Sequence, residues 1–89
     1  MQLSEETQAM ERIELGEYIV ADPHICHGQL TFKGTRILVR VVLEYVADGL
    51  DWGQIVRDYG NSFPTEAIAE AVRLAAKVVD AQPEMKLAA

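Results

Sequence analysis

The chain has 89 residues, of which 49% are hydrophobic and 25% charged, and its net charge is −6. This composition predicts one small folded domain, because disordered chains contain fewer hydrophobic residues. A single cysteine excludes an internal disulfide framework, and no hydrophobic run reaches the roughly 18 residues that a membrane span requires. We therefore expect a cytoplasmic protein that does not enter a membrane.

The negative charge is unevenly distributed along the chain. Residues 1–32 contain six acidic residues and one arginine, residues 33–77 contain six acidic and six basic residues, and the last twelve carry a net charge of −1. Non-specific binding of nucleic acid requires a broad positive surface, because the released counterions drive it. Contact with DNA would therefore depend on a local cluster of basic residues.

The pattern divides the chain into three segments. Residues 1–17 form an acidic N-terminal segment, residues 18–80 a folded domain, and residues 81–89 a C-terminal tail. The first segment has a weak hydrophobic stripe at helical spacing (Met10, Ile13 and Leu15) and no strong cap. We expect this segment to become helical only against a partner.

Two short strands are predicted at the start of the folded domain, at residues 18–20 and 30–32, because both runs are rich in β-branched and aromatic residues. Residues typical of turns surround them: Asp22, Pro23, Gly28 and Gly34. An isolated hairpin is only marginally stable in water, so this one should pack on helices or pair with the strands of a second copy.

Three helices should follow the hairpin. Val39, Val42, Leu43 and Val46 fall on one face of a helix over residues 38–48, which Gly49 can end in a left-handed conformation. Asp51 and Gln54 have the spacing of a capping box at the start of a second helix that ends near Gly60.

The third helix is the longest. Pro64 suits its first turn, Ile68, Val72, Ala75 and Val79 continue its apolar face to about Asp80, and Pro83 ends it. Its polar face carries Glu66 and Glu70 before Arg73 and Lys77, a spacing that predicts surface ion pairs. The predicted fold is thus mainly α, with an N-terminal β-hairpin followed by a three-helix bundle of the homeodomain-like, helix-turn-helix outline.

His24, Cys26 and His27 lie close together and raise the question of a metal site or a nucleophile. A structural zinc site usually draws ligands from two segments, and the chain has no other cysteine or histidine. If the segment is extended, His24 and Cys26 point to one side and His27 to the other. We expect a structural role, with neither a metal nor catalysis at Cys26.

The basic residues near the hairpin are the candidate contacts for DNA or a partner. Gly34 permits a turn with positive φ, Thr35 can accept hydrogen bonds from backbone N–H groups at a helix start, and Arg36 can bind a carboxylate or a phosphate. The simpler interpretation is that Arg36 is tied to an acidic neighbour. The complete set of candidates is Lys33, Thr35, Arg36, Arg40, Arg73 and Lys77.

The segment YIVADPHICHGQLTFKGTRILVRVVLEYVADGLDWGQIVRDYG, residues 18–60, resembles the family known as domain of unknown function 433. The features that carry the resemblance are Asp22-Pro23, Gly28, the Gly34-Thr35-Arg36-Ile37 box, the apolar run from Val39 to Val46, Gly49, and the short helix from Ile55 to Tyr59. This chain has Leu30 and Leu38 where family members usually have proline, and its entry to the third helix is one residue longer.

The resemblance implies a homeodomain-like fold in a small bacterial antitoxin of a type II toxin–antitoxin pair, whose toxin resembles PIN-domain ribonucleases. The leading expectation is a non-enzymatic homodimer, paired through the hairpin and without a cofactor, that binds such a toxin and its own operator DNA. The alternative is a stand-alone helix-turn-helix DNA-binding regulator. The acidic residues of the third helix disfavour DNA contact by its N-terminal half.

Overall fold

A computed structural model describes residues 11–81, which form a small antiparallel sheet and three helices. The strands are β1 (Ile13–Glu14), β2 (Ile19–Ala21) and β3 (Leu30–Phe32). The helices are α1 (Val39–Ala47), α2 (Trp52–Asp58) and α3 (Thr65–Asp80). The predicted hairpin and all three predicted helices are present. None of the helices within residues 11–81 has both the length and the hydrophobicity to cross a bilayer.

The sheet has a third strand that the sequence pattern did not predict. β1 pairs with β2, Ile13 opposite Ala21, and β2 pairs with β3, Ile19 opposite Phe32. A hydrogen bond from Leu15 N to Ile19 O, 2.9 Å long, closes the turn between β1 and β2. The sequence predicted that this segment becomes helical only against a partner; in the structure Ile13 and Glu14 form a strand, because the open edge of β2 supplies backbone hydrogen-bond partners. Met10 lies outside the described residues.

The connection between β2 and β3 is a compact turn. The Asp22 side chain accepts a hydrogen bond from His24 N at 2.9 Å, and its backbone oxygen accepts one from Ile25 N at 2.9 Å. A 3₁₀ turn follows at Cys26–Gly28, in which Cys26 and His27 both have positive φ angles of 51° and 58°. The segment is therefore not extended, and its alternation of side chains was wrongly predicted.

The core draws on the sheet and on every helix. Ile19 and Phe32 of the sheet, Val42 of α1, Ile55 of α2 and Ile68 of α3 are each at most 1% exposed. Phe32 stacks on Phe63, which precedes α3, with ring centroids 4.3 Å apart. This stack joins the sheet to the turn between α2 and α3.

The helix ends follow the sequence signals closely, with two differences. Gly49 has the expected left-handed φ, 86°, and the Asp51 carboxylate accepts a hydrogen bond from Gln54 N at 3.2 Å. The Gln54 side chain bonds to Asp58 at 2.8 Å, so only half of the capping box forms. Pro64 is the residue that precedes α3, one position before the first turn where it was expected. Pro83 lies outside the described residues.

Candidate functional site

The turn between β3 and α1 holds three of the six candidate contact residues. Thr35 Oγ1 donates to Phe32 O at 2.8 Å and accepts from Ile37 N at 3.0 Å, while Gly34 adopts a φ of 79°. The Thr35 hydroxyl thus closes the turn just before α1, as the sequence indicated. The turn leaves the Arg36 side chain exposed.

The basic side chains of this region differ in their partners. Lys33 Nζ lies 3.3 Å from Glu14 Oε1, and Arg40 Nε donates to Gln29 Oε1 at 3.4 Å. Arg36 forms no ion pair with any carboxylate of residues 11–81, so the acidic neighbour expected for it is not found there. Its guanidinium is therefore open to a ligand or partner.

Arg73 and Lys77 lie on the exposed side of α3, beside the segment that joins β1 to β2. They line a cleft of about 340 Å³ together with Glu66, Glu70 and Leu74 of α3 and with residues 15–18. Among residues 11–81, none of Lys33, Thr35, Arg36 and Arg40 lines this cleft. Arg73 and Lys77 therefore form a group of their own.

Glu70 has a structural partner in place of the predicted ion pairs. Its two carboxylate oxygens accept hydrogen bonds from Glu17 N and Tyr18 N, both at 3.1 Å. The only ion pairs among residues 11–81 are those of Glu14 with Arg12 and Lys33, so the predicted pairs of Glu66 and Glu70 with Arg73 and Lys77 do not form. Two fixed backbone donors hold the Glu70 carboxylate more firmly than a flexible side chain at the surface can.

Cys26 lies in the 3₁₀ turn, partly buried, with its thiol donating to Arg36 O over 3.6 Å. Within residues 11–81, no three His, Cys, Asp or Glu side chains are grouped so that they could hold a metal ion. The thiol instead links the β2–β3 connection to the turn before α1.

A groove whose lining, within residues 11–81, is entirely hydrophobic runs between α1 and the second half of α3. We call it the apolar groove; it has a volume of about 320 Å³ and is lined by Leu30, Val39, Leu43, Ala71, Leu74, Ala75, Val78 and Val79. Val78 and Val79 are 53% and 48% exposed. Contiguous exposed hydrophobic residues are typical of surfaces that bind other proteins.

A second hollow extends the apolar groove toward a positive charge. It shares Leu30, Val39 and Leu43 with the groove and adds Gln29 and Arg40. A partner in the groove would therefore bury hydrophobic side chains while an acidic group contacts Arg40, an arrangement of hydrophobic centre and polar rim that protein interfaces share.

The sequence predicts the apolar stripe of α3 but not the groove. The stripe predicts a face that packs against another element, and within residues 11–81 only its first half is covered. The lengths of the helices could have indicated the groove. α3 has 16 residues and α1 has nine, which correspond to about 24 Å and about 14 Å at 1.5 Å per residue. A helix of about 14 Å cannot cover one of about 24 Å along its whole length, so the lengths indicate that α1 alone leaves part of the α3 stripe open.

Comparison with known proteins places the chain in a family. No curated protein and no solved structure matches it significantly. The family described as Protein of unknown function (DUF433) matches residues 19–75, which include β2, β3, α1, α2 and most of α3. Because this match covers more than half of the chain, the protein belongs to the DUF433 family.

Proposed function

We propose that this protein is the antitoxin-like component of a type II toxin–antitoxin pair, which binds and inhibits a PIN-like ribonuclease. The observation that supports a protein-binding role is the apolar groove, which exposes Val78 and Val79 and is continuous, through Leu30, Val39 and Leu43, with the hollow beside Arg40. The class of the partner rests on the family resemblance described above. In this proposal the protein is not an enzyme and requires no cofactor.

The proposed mechanism combines the groove with the open arginine. A hydrophobic segment of the nuclease, a helix in the simplest case, fills the apolar groove and provides most of the affinity. Arg36 then reaches the carboxylates with which a metal-dependent nuclease holds its ions, because a guanidinium binds a carboxylate with two parallel hydrogen bonds. Occupying those carboxylates would prevent metal binding and thus cleavage.

Operator binding is a further part of the proposal, with α2, the turn after it and α3 arranged as a helix-turn-helix in a homeodomain-like domain. Glu66 and Glu70 lie in the first half of α3, where a recognition helix normally meets the bases, and they would repel phosphates. Lys33, Arg36 and Arg40 are the better DNA contacts. The homodimer through the sheet and the cytoplasmic location also remain proposals.

Co-expression with the protein encoded beside its gene tests the proposal, followed by affinity purification and a ribonuclease assay. The expected result is a stable complex without nuclease activity. Val78→Asp should abolish co-purification, because it places a charge in the groove, whereas Ala76→Asp on the exposed side of the same helix should not. Arg36→Gln should restore nuclease activity more than Arg57→Gln, the same change on α2.

Two results would contradict the proposal. A neighbouring protein that neither binds nor is inhibited would favour the alternative, a stand-alone DNA-binding regulator, which a steep salt dependence of operator binding would then support. A complex that Val78→Asp and Ala76→Asp weaken equally would show that the apolar groove is not the toxin-binding surface.

A further inference from the structure

A second cleft lies at the opposite end of α1 from the apolar groove and shares no residue with it. It has a volume of about 300 Å³ and is lined by Tyr45, Leu50, Ile55, Asp58 and Tyr59. We call it the tyrosine cleft. Binding sites for drug-sized ligands begin at roughly this volume, so the cleft suits one side chain or head group better than a cofactor.

The two aromatic walls are held in place by the core. The Tyr45 and Tyr59 rings lie 6.5 Å apart at 48° to each other. Tyr59 also contacts Phe63 at 5.9 Å, and Phe63 stacks on Phe32, so a chain of rings connects the cleft to the sheet. Tyr45 remains 38% exposed at the mouth. Such a preformed site loses little entropy when it binds a ligand.

The charge of the cleft comes from Asp58, the last residue of α2. Its Oδ1 accepts a hydrogen bond from Gln54 Nε2 at 2.8 Å, which orients the carboxylate, while Oδ2 accepts no hydrogen bond within residues 11–81. Burial, and next the interaction with Tyr45, raise the pKa of Tyr59 above its ordinary value of 10.0.

The surroundings strengthen the negative potential. Residues 44–59 contain four carboxylates and a single basic residue, Arg57, so this segment has a net charge of −3. Arg57 donates to the Gln54 side chain at 3.3 Å. The cleft also lies at the C-terminal end of α1, where the helix dipole favours cations. An anion such as a DNA phosphate is therefore repelled from this end of the molecule.

The chemistry of the cleft distinguishes between kinds of cation. Inorganic divalent ions require several oxygen ligands, and Asp58 is the only carboxylate among residues 11–81 that lines the cleft. Organic cations require ring faces and one counter-charge, which the two tyrosines and Asp58 supply. We infer that the tyrosine cleft binds the basic side chain, arginine or lysine, of a partner protein, with the cation against the Tyr45 and Tyr59 rings and paired with Asp58.

Nuclear magnetic resonance of the whole chain tests this inference with N-acetyl-arginine amide as the probe. N-acetyl-citrulline amide, which has nearly the same shape without the charge, is the matched control ligand. We expect saturable shifts of the Tyr45 and Tyr59 ring signals with the arginine compound, at a dissociation constant on the order of 1–10 mM. The citrulline compound should give no saturable shift.

Three variants localise the binding. Asp58→Asn keeps an acceptor for Gln54 and should weaken binding about tenfold, because a charged hydrogen bond becomes neutral. Tyr45→Leu should weaken it about fivefold through loss of one ring. Glu44→Gln removes the same charge outside the cleft and should change binding less than about twofold at physiological salt. Amide spectra of each variant report whether it remains folded.

The inference is overturned if citrulline binds as well as arginine, or if Asp58→Asn and Glu44→Gln have equal effects. Tetramethylammonium binding more tightly than the arginine compound would also overturn it, because the cleft would then suit a free quaternary amine. These measurements involve no toxin, so their failure is distinct from failure of the proposed function.

Discussion

The two halves of α3 have the same apolar spacing but different surroundings. In the first half Ala67, Ile68 and Ala71 are at most 1% exposed, covered by the sheet and the other helices, whereas in the second half Val78 and Val79 are about half exposed. The spacing of hydrophobic residues along a helix therefore predicts which face will be buried. It does not predict whether that face is buried by the same chain or by a partner. The difference separates residues that hold the fold from residues available to a partner.

The largest loss of stability should follow a substitution in the buried first half of α3. Ile68→Ala removes a side chain that is fully buried among the sheet and helices and should lower the free energy of unfolding by about 2–5 kcal/mol. Urea unfolding followed by circular dichroism measures the change. A loss below 1 kcal/mol would show that the two halves of α3 do not differ as described.

The next largest loss of stability should come from the polar side of the first half of α3. Glu70→Ala leaves the Glu17 and Tyr18 N–H groups without their acceptor and should cost about 1.5–3 kcal/mol. Glu66→Ala is the matched control, since it removes only a favourable charge near the helix start, worth up to about 1 kcal/mol. Faster hydrogen exchange at Glu17 and Tyr18 in the first variant alone would identify the cause.

A substitution in the sheet, which covers the first half of α3, should have a smaller effect and should stabilise the protein. Thr31 is fully buried in β3, and its hydroxyl has no hydrogen-bond partner within residues 11–81. Thr31→Val should raise the free energy of unfolding by about 1 kcal/mol, because an unpaired buried hydroxyl becomes a methyl group. Thr35→Val should lower the free energy of unfolding, since the Thr35 hydroxyl closes the turn before α1. Thermal unfolding of both variants measures the two changes. If both variants were stabilised, the difference between an unpaired and a paired hydroxyl would not be their cause.

The smallest change in stability should follow a substitution in the exposed second half of α3. Val78→Ala removes two methyl groups from a side chain that is 53% exposed, and the free energy of unfolding should change by no more than about 0.5 kcal/mol. The same urea titration measures it beside Ile68→Ala. A loss similar to that of Ile68→Ala would mean that the apolar groove is part of the core and is not available to a partner.

The parts of the fold that local signals determine could be predicted from the sequence. Gly49 and Asp51 mark helix ends through their own backbone and side-chain chemistry, and α1 and α2 accordingly begin and end close to the expected residues. β1 could not be predicted in this way, because a two-residue strand exists only through its pairing with β2.

The candidate sites also divide into features that local sequence determines and features that depend on contacts between distant segments. Thr35 acts within its own turn and was correctly placed. Glu70 was assigned to its helical neighbours, whereas its real partners are more than 50 residues away in the sequence. The tyrosine cleft forms where α1 meets α2 and its following turn, so neither Tyr45 nor Tyr59 indicates it alone. Contacts between distant segments depend on packing, and hydrophobic spacing does not encode them.

The contact between Gly16 and Glu70 has a consequence for the evolution of the sequence. A Cβ atom at position 16 would collide with the Glu70 carboxylate, which cannot move away without breaking its bonds to Glu17 N and Tyr18 N. Relatives with a larger residue at position 16 should therefore carry a shorter acceptor, such as aspartate, at position 70. The two positions should vary together, although they lie 54 positions apart along the chain.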